Sequence, residues 1–139
     1  MTTGVLGTNA RQDPRQVVNT LKKTVNYNDA GISAGSAFDN YLPQNAFLSL
    51  VLVEIVTAFN AVTTNVLTVG TVGTTYNNIV AAADVNEGLA GIYEATRGLG
   101  RSLTAAGDVL PYAQYTQTGT AATQGQAIIL MQYEGGWQT

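Results

Sequence analysis

The 139-residue sequence contains no cysteine and no histidine, and only 11% of its residues are charged. Without cysteine there is no disulfide framework, no thiolate nucleophile and no cysteine-ligated metal centre. Without histidine the chain lacks the commonest general base and the commonest metal ligand. These two absences exclude most familiar catalytic constellations, so we expect no enzyme activity, no cofactor and no metal site.

Basic residues are also scarce. Six Lys and Arg stand against nine Asp and Glu, for a net charge of −3. Nucleic-acid-binding domains usually carry a basic stripe, because neutralised phosphates supply much of the affinity. We therefore expect no nucleic-acid partner. The longest apolar stretch, 46–59, is shorter than the roughly 20 residues of a membrane helix, and 1–9 lacks the regions of a signal peptide. No membrane partner is expected either.

The composition combines 45% hydrophobic residues with few charges. Much of the remainder is Thr, Gly, Asn and Gln, so the surface must be polar but largely neutral. Neutral polar groups cost less to desolvate than charged ones. This pattern favours an oligomer or a component of a lattice.

Short apolar runs separated by Gly, Asn and Thr turns predict an all-β fold, either an antiparallel β-sandwich, jelly-roll-like, or a barrel. The expected strands are 16–26, 46–57, 64–72, 76–82, 109–116 and 127–134. Both parities of 46–57 are apolar, which predicts either a strand buried on both faces or the inner strand of a packed sandwich. The connection to 64–72 suits a short hairpin, and Pro111 indicates an edge position for the strand that contains it.

At most one short helix is expected, after Asp84. Asp84 and Glu87 have the spacing of a helix N-cap and its capping glutamate, and Leu89 and Ile92 follow at helical spacing. The glycines of this segment weaken a helix, so a long loop stays open as the alternative. Residues 1–14 lack periodicity and predict an extended N-terminal arm, which leaves 15–139 as a single sandwich domain.

Glu54 is the one charge inside the main apolar strand. It is either a catalytic acid whose pKa burial raises, or a residue at a subunit contact or facing solvent. No second carboxylate lies at a spacing that completes a glycosidase pair, which favours the contact. Asp84 and Glu87 allow a calcium site, but the EF-hand pattern is absent, which favours the helix cap.

Three further residues are candidates for contacts. Arg11 and Arg15 in the arm are placed to bind an acidic partner surface. Trp137 follows Gly135-Gly136 and is placed to anchor the C-terminal tail on its own or a neighbouring surface. With Glu54, these residues are the predicted contacts with a partner or a neighbouring subunit.

Three segments together resemble small structural proteins of tailed bacteriophages, in particular head decoration (cement) proteins. They are LPQNA leading into VLVEIVTAFNA within 42–61, TNVLTVG at 64–70, and GTAATQGQAIILMQY at 119–133. The resemblance implies a non-enzymatic virion protein on the outer surface of the phage head, with the major capsid protein as partner. It also implies a homotrimer that stabilises the capsid lattice, with an N-terminal arm that contacts the capsid or a neighbouring subunit.

Two other roles stay open. One is an enzyme, or a carbohydrate-binding or receptor-binding module, on the same sandwich, since a fold does not fix a function. A carbohydrate binder would need exposed aromatic side chains beside Asp or Asn. The candidates for such a surface are Tyr76, Tyr93, Tyr112, Tyr115 and Trp137. A tail, fibre or head-completion protein would differ from a decoration protein in location and symmetry alone.

Overall fold

The computed structural model describes residues 18–135, which form two antiparallel β-sheets and one short 3-10 turn. The elements are β1 (Val18–Asn26), β2 (Ser36–Ala37), β3 (Ala46–Thr57), β4 (Thr64–Gly70), the 3-10 turn Ala82–Asp84, β5 (Gly91–Glu94), β6 (Tyr112–Thr118) and β7 (Gln126–Gly135). The predicted all-β antiparallel sandwich is confirmed. The predicted arm, 1–14, lies outside the described residues.

The two sheets share one hydrophobic core. The four-stranded sheet has the order β1-β7-β3-β5, and the three-stranded sheet has the order β2-β6-β4. Both contribute buried side chains to the same cluster, as two facing sheets do in a sandwich. Its largest fully buried members are Tyr115, Leu42, Leu48, Ile55, Leu67, Ile79, Ile129 and Met131.

β3 has the predicted bounds but is covered on one face only. Val51, Val53 and Ile55 point into the core and are fully buried or nearly so. On the opposite parity Leu52 is half-buried and Glu54 is exposed. Of the two predicted alternatives, burial on both faces is wrong within the described chain, because nothing there packs on the outer face of this sheet. The inner strand of a packed sandwich is confirmed, since β3 lies between β7 and β5.

The predicted hairpin between β3 and β4 is wrong, because these strands belong to different sheets. The side chain of Asn65 forms the corner between them. Its Oδ1 accepts from the backbone N–H of Ala61 at 3.0 Å, and its Nδ2 donates to the Ala61 carbonyl at 3.0 Å. These bonds satisfy the N–H and the carbonyl of Ala61 where the chain crosses from one sheet to the other.

The strand predicted over 76–82 is replaced by an irregular fold-back. Thr74 and Tyr76 have positive φ angles of 53° and 40°, which no regular strand allows. Asn78 Oδ1 accepts from the backbone N–H of Thr71 at 2.8 Å, so the segment closes on the end of β4. Val80 makes only an isolated bridge to Val69.

Of the two alternatives left open after Asp84, the structure has the loop and not the short helix. Asp84 ends a 3-10 turn, and its Oδ2 accepts from the N–H of Ala81 at 2.9 Å. The residues that follow form a loop and then β5, which pairs with β3. Ile92 alternates with Tyr93 across the sheet instead of sharing a helix face with Leu89.

Pro111 does not mark an edge strand. It lies one residue before β6, which is the central strand of its sheet. Its carbonyl accepts from the N–H of Phe38 just beyond the last β2–β6 pair, Ala37 and Tyr112, so the N–H that proline lacks is missing only at the end of the ladder. In β1, Lys23 shares the parity of the core residues, and its Nζ leaves the core to donate to the Ala37 carbonyl at 3.0 Å.

Candidate interaction surface

The outer face of the four-stranded sheet carries a cross-strand row of four side chains, one from each strand. Lys22 of β1 is opposite Leu130 of β7, and Leu130 is opposite Leu52 of β3. Leu52 is in turn opposite Glu94 of β5. The row therefore has a basic end, an apolar centre and an acidic end, and we call it the Lys22–Glu94 row.

The neighbouring row contains Glu54. It runs from Thr24 through Ile128 and Glu54 to Ile92. Glu54 is exposed on the open face, flanked by isoleucines on both sides. Glu94 is its diagonal neighbour across β3 and β5, a second carboxylate that the sequence spacing did not reveal. Glu54 and Glu94 lie among apolar side chains on an open sheet face. This arrangement suits a contact surface better than a substrate cleft.

A shallow groove of about 250 Å³ runs over the centre of this face. Its lining combines four apolar side chains with one group of each charge: Lys22, Leu52, Glu54, Ile92, Ile128 and Leu130. Ile92 is 69% exposed, and Val18 and Phe47 on the same face are 53% and 55% exposed. Val18 and Phe47 lie on either side of Glu134, away from the groove. Exposed apolar side chains grouped on one sheet face are typical of a site that binds another macromolecule.

Glu87 is the buried charge of the described chain. It is 6% exposed, and its Oε1 accepts from the backbone N–H of Leu67 at 2.7 Å. Its own carbonyl accepts from the N–H of Phe59 at 2.9 Å. Burial raises the pKa of the Glu87 carboxyl, and the bond from Leu67 opposes that rise in part. Glu87 thus connects three segments of the sandwich, a structural role in place of the predicted cap.

Tyr115 belongs to the same buried network. Its ring lies 4.5 Å from that of Phe59, tilted by 37°. Its hydroxyl donates to Asn65 Oδ1 at 2.7 Å. Burial raises the pKa of the Tyr115 phenol, and the negative charge of Glu87 adds to the rise. Being 2% exposed, Tyr115 is unavailable to a sugar.

The other tyrosines do not form one open platform in the described chain. Tyr76 and Tyr112 stack on each other with centroids 4.7 Å apart. A Cβ at Gly35 would approach the ring of Tyr76 to 2.5 Å, so that ring is also packed against the backbone. Tyr93 packs against the core, and its hydroxyl donates to the Leu89 carbonyl at 2.8 Å. The ring faces that a sugar would stack on are largely occupied within the fold.

Asp84 and Glu87 do not converge on a shared cation site. Asp84 forms an ion pair with Arg97, Nε to Oδ2 at 3.1 Å. The hydrogen bond from Arg97 lowers the pKa of the Asp84 carboxyl. Residues 18–135 contain no group of three or more Asp and Glu side chains placed to hold a metal ion. In the same residues, no helix is long and apolar enough to span a membrane.

Of the predicted contact residues, only Glu54 lies within the described chain. Arg11, Arg15 and Trp137 lie outside it. Sequence reasoning missed the Lys22–Glu94 row, although the apolar outward parity of β3 and β7 was a signal of it. It also missed the burial of Glu87, for which the sequence carries no signal, because its partner Leu67 is 20 residues away.

The fold is shared with chains from two solved phage capsids. One is in a structure described as the cyanophage Pam1 capsid asymmetric unit, with 20% identity and a TM-score of 0.64. The match covers 84% of this chain and 83% of that one. The other is in the acidic stable capsid structure of Helicobacter pylori bacteriophage KHP30, with 17% identity and a TM-score of 0.58. That match covers 84% of this chain and 86% of the other.

Neither protein-family models nor curated protein sequences match the chain. At these identities the structural likeness establishes a common fold over most of both chains. The sandwich of residues 18–135 is thus a fold that occurs in chains of two phage capsid structures.

Proposed function

We propose that this protein is a non-enzymatic structural component of a phage virion, a decoration protein that binds the outer surface of the head. The observation that carries the proposal is the shared fold with chains of two phage capsid structures over 84% of the sequence. The sparse charge and the exposed apolar sheet face support it, because both suit a surface that is covered in an assembly.

In this proposal the partner is the major capsid protein, and the protein acts as a homotrimer. A protein that binds only the assembled lattice stabilises that lattice by mass action. Three linked copies turn weak single contacts into firm attachment, because the second and third contacts become intramolecular. Arg11, Arg15, Glu54 and Trp137 are the residues proposed to contact the capsid or a neighbouring subunit.

The test uses virions of the encoding phage and heads from a strain that lacks the gene. Purified protein is added to the deficient heads, and its bound copies are counted after sedimentation and located by electron cryo-microscopy. We expect saturable binding to the outer head surface and a higher temperature of DNA release. Recovery in the tail fraction alone would replace this role with that of a tail or fibre protein, and absence from all particles would reject a virion role.

A glycan array on the same purified protein tests the carbohydrate-binding alternative. Under the proposal no glycan is retained, because the rings of Tyr115 and Tyr76 are packed within the fold. Selective retention of one glycan class, combined with failure to bind heads, would favour the receptor-binding role.

A further inference from the structure

We infer that the outer face of the four-stranded sheet binds the same face of a second copy of this chain, about a two-fold axis. The inference rests on the cross-strand registers and the exposure of described residues. It does not depend on the virion role, since it concerns the purified protein in solution. It adds a two-fold contact to the proposed three-fold assembly, and it makes Glu54, which lies on this face, a contact between subunits.

The centre of the Lys22–Glu94 row is apolar and partly open to water, and Glu54 of the neighbouring row is the one carboxylate that lines the groove beside it. Leu52, Ile128 and Leu130 line the groove, and Ile92 is 69% exposed beside them. The opposite face of the same strands forms the core, so these side chains have no partner within the described part of the sandwich. Facing sheets pack about 10 Å apart through such side chains.

Charges of opposite sign lie at the two ends of the Lys22–Glu94 row. Lys22 lies on the edge strand β1 and Glu94 on the opposite edge strand β5. A two-fold axis parallel to the strands and between β7 and β3 exchanges the two edges. It places Lys22 of each copy opposite Glu94 of the other, and Leu130 opposite Leu52. The row is therefore complementary to itself, as an isologous contact requires.

The area of the outer face of the four-stranded sheet also suits a pair of copies. The three long strands of this face have nine, ten and twelve residues. At ~3.3 Å per residue and ~4.8 Å between strands, they cover roughly 500 Å² in plane before the relief of the side chains and β5 are added. Stable interfaces bury about 800 Å² on each partner. The face is thus large enough for a specific pair of the weaker, concentration-dependent class.

Charge reversal provides the decisive experiment, because the two ends of the row have opposite signs. Lys22→Glu places acid against acid in the pair, and Glu94→Lys places base against base. We expect each single variant to dissociate roughly tenfold or more readily than the unchanged chain, measured by light scattering over a dilution series. Mixing the two single variants restores opposite charges at both contacts, and so does combining both changes in one chain.

Matched controls separate this contact from general effects. Asp39→Lys reverses an exposed acid between β2 and β3, outside the four-stranded sheet, and leaves association unchanged. Ile92→Ser weakens association, whereas Val72→Ser, which removes a side chain of similar exposure (62%) elsewhere, does not. Circular dichroism verifies that every variant is folded.

Several results would overturn the inference. They are a chain that stays monomeric at every concentration, single reversals that associate as well as the unchanged chain, and a mixture of reversals that stays dissociated. A trimer whose mass is insensitive to all these changes would assign the face to another occupant, such as the capsid. Head binding is measured separately, so failure here leaves the proposed virion role standing, and the reverse also holds.

Discussion

The backbone N–H of Leu67 donates a 2.7 Å hydrogen bond to Oε1 of Glu87. The bond joins β4 to the loop before β5, across the boundary between the two sheets. It explains why a carboxyl group is tolerated in a position that is only 6% exposed, since a buried charge needs a hydrogen-bond partner.

Glu87 should make the protein more stable in mild acid. Because burial raises its pKa in the folded state, folding favours the protonated form. The free energy of unfolding contributed by this group is therefore greatest below the unfolded pKa, about 4.3, and falls as pH rises through the higher folded pKa. Glu87→Gln should flatten this dependence, as measured by urea unfolding from about pH 4 to about pH 7.

The control for this prediction is Glu87→Ala, which leaves the Leu67 N–H without its acceptor. We expect it to lower the free energy of unfolding by about 1–3 kcal/mol in mild acid, and by less as pH rises, because the variant also loses the titrating carboxyl. An unchanged pH dependence in Glu87→Gln would show that another group is responsible.

The ion pair between Asp84 and Arg97 should have the opposite pH dependence. Arg97 lowers the pKa of Asp84, so the contribution to stability is present above the unfolded pKa and is lost as pH falls through the folded pKa. Arg97 is 46% exposed on its side chain, so Arg97→Ala should cost only about 0.5 kcal/mol near neutral pH, and less at about pH 2 as Asp84 becomes protonated. Chemical denaturation at both pH values measures this, and an equal cost at both would contradict it.

Gly125 should be far more sensitive to substitution than Gly31. Both have positive φ angles, 150° and 74°. A Cβ at Gly125 would overlap the ring of Phe59, whereas one at Gly31 meets nothing within 4 Å. We expect Gly31→Ala to cost about 1 kcal/mol through backbone strain alone, and Gly125→Ala to cost about 2–3 kcal/mol more by displacing Phe59 from Tyr115. Thermal unfolding of the two variants compares them, and equal losses would contradict the overlap.

Deletion of residues 1–14 should leave the sandwich folded. β1 begins at Val18, and its ladder with β7 starts there, at the pair Val18 and Glu134. Circular dichroism and thermal unfolding should therefore match those of the full chain, while binding to deficient heads weakens. Unfolding of the shortened protein would show that these residues belong to the core, and unchanged head binding would remove them from the capsid contact.

Local pattern was sufficient to predict the long strands. β3 has the predicted bounds because its β-branched run is buried through Val51, Val53 and Ile55, and β7 differs from 127–134 by one residue at each end. β5 escaped prediction, because its four residues owe their conformation to pairing with β3, about 40 residues earlier. β3 carries apolar residues on both parities, as the sequence indicated. Those of the outward parity face the open side of the sheet, where Leu52 helps to line the groove.

The contact candidates were harder to predict for a related reason. Glu54 was selected as a charge within an apolar run, and its exposure follows from strand alternation. Its relation to Glu94, and the order of charge from Lys22 to Glu94, depend on which strands are neighbours. The order β1-β7-β3-β5 places the first strand beside the last, which no local pattern encodes.

The pairing of the first and last strands has a mechanical consequence. Val18 is opposite Glu134, so both ends of the described chain leave from the same end of one ladder. Tension applied through those two ends would open the β1–β7 ladder like a zipper, one hydrogen bond after another. Tension transmitted through a sheet face would instead be distributed over many bonds at once. A protein of this topology resists force best when the load enters through its faces and the two chain ends carry none of it.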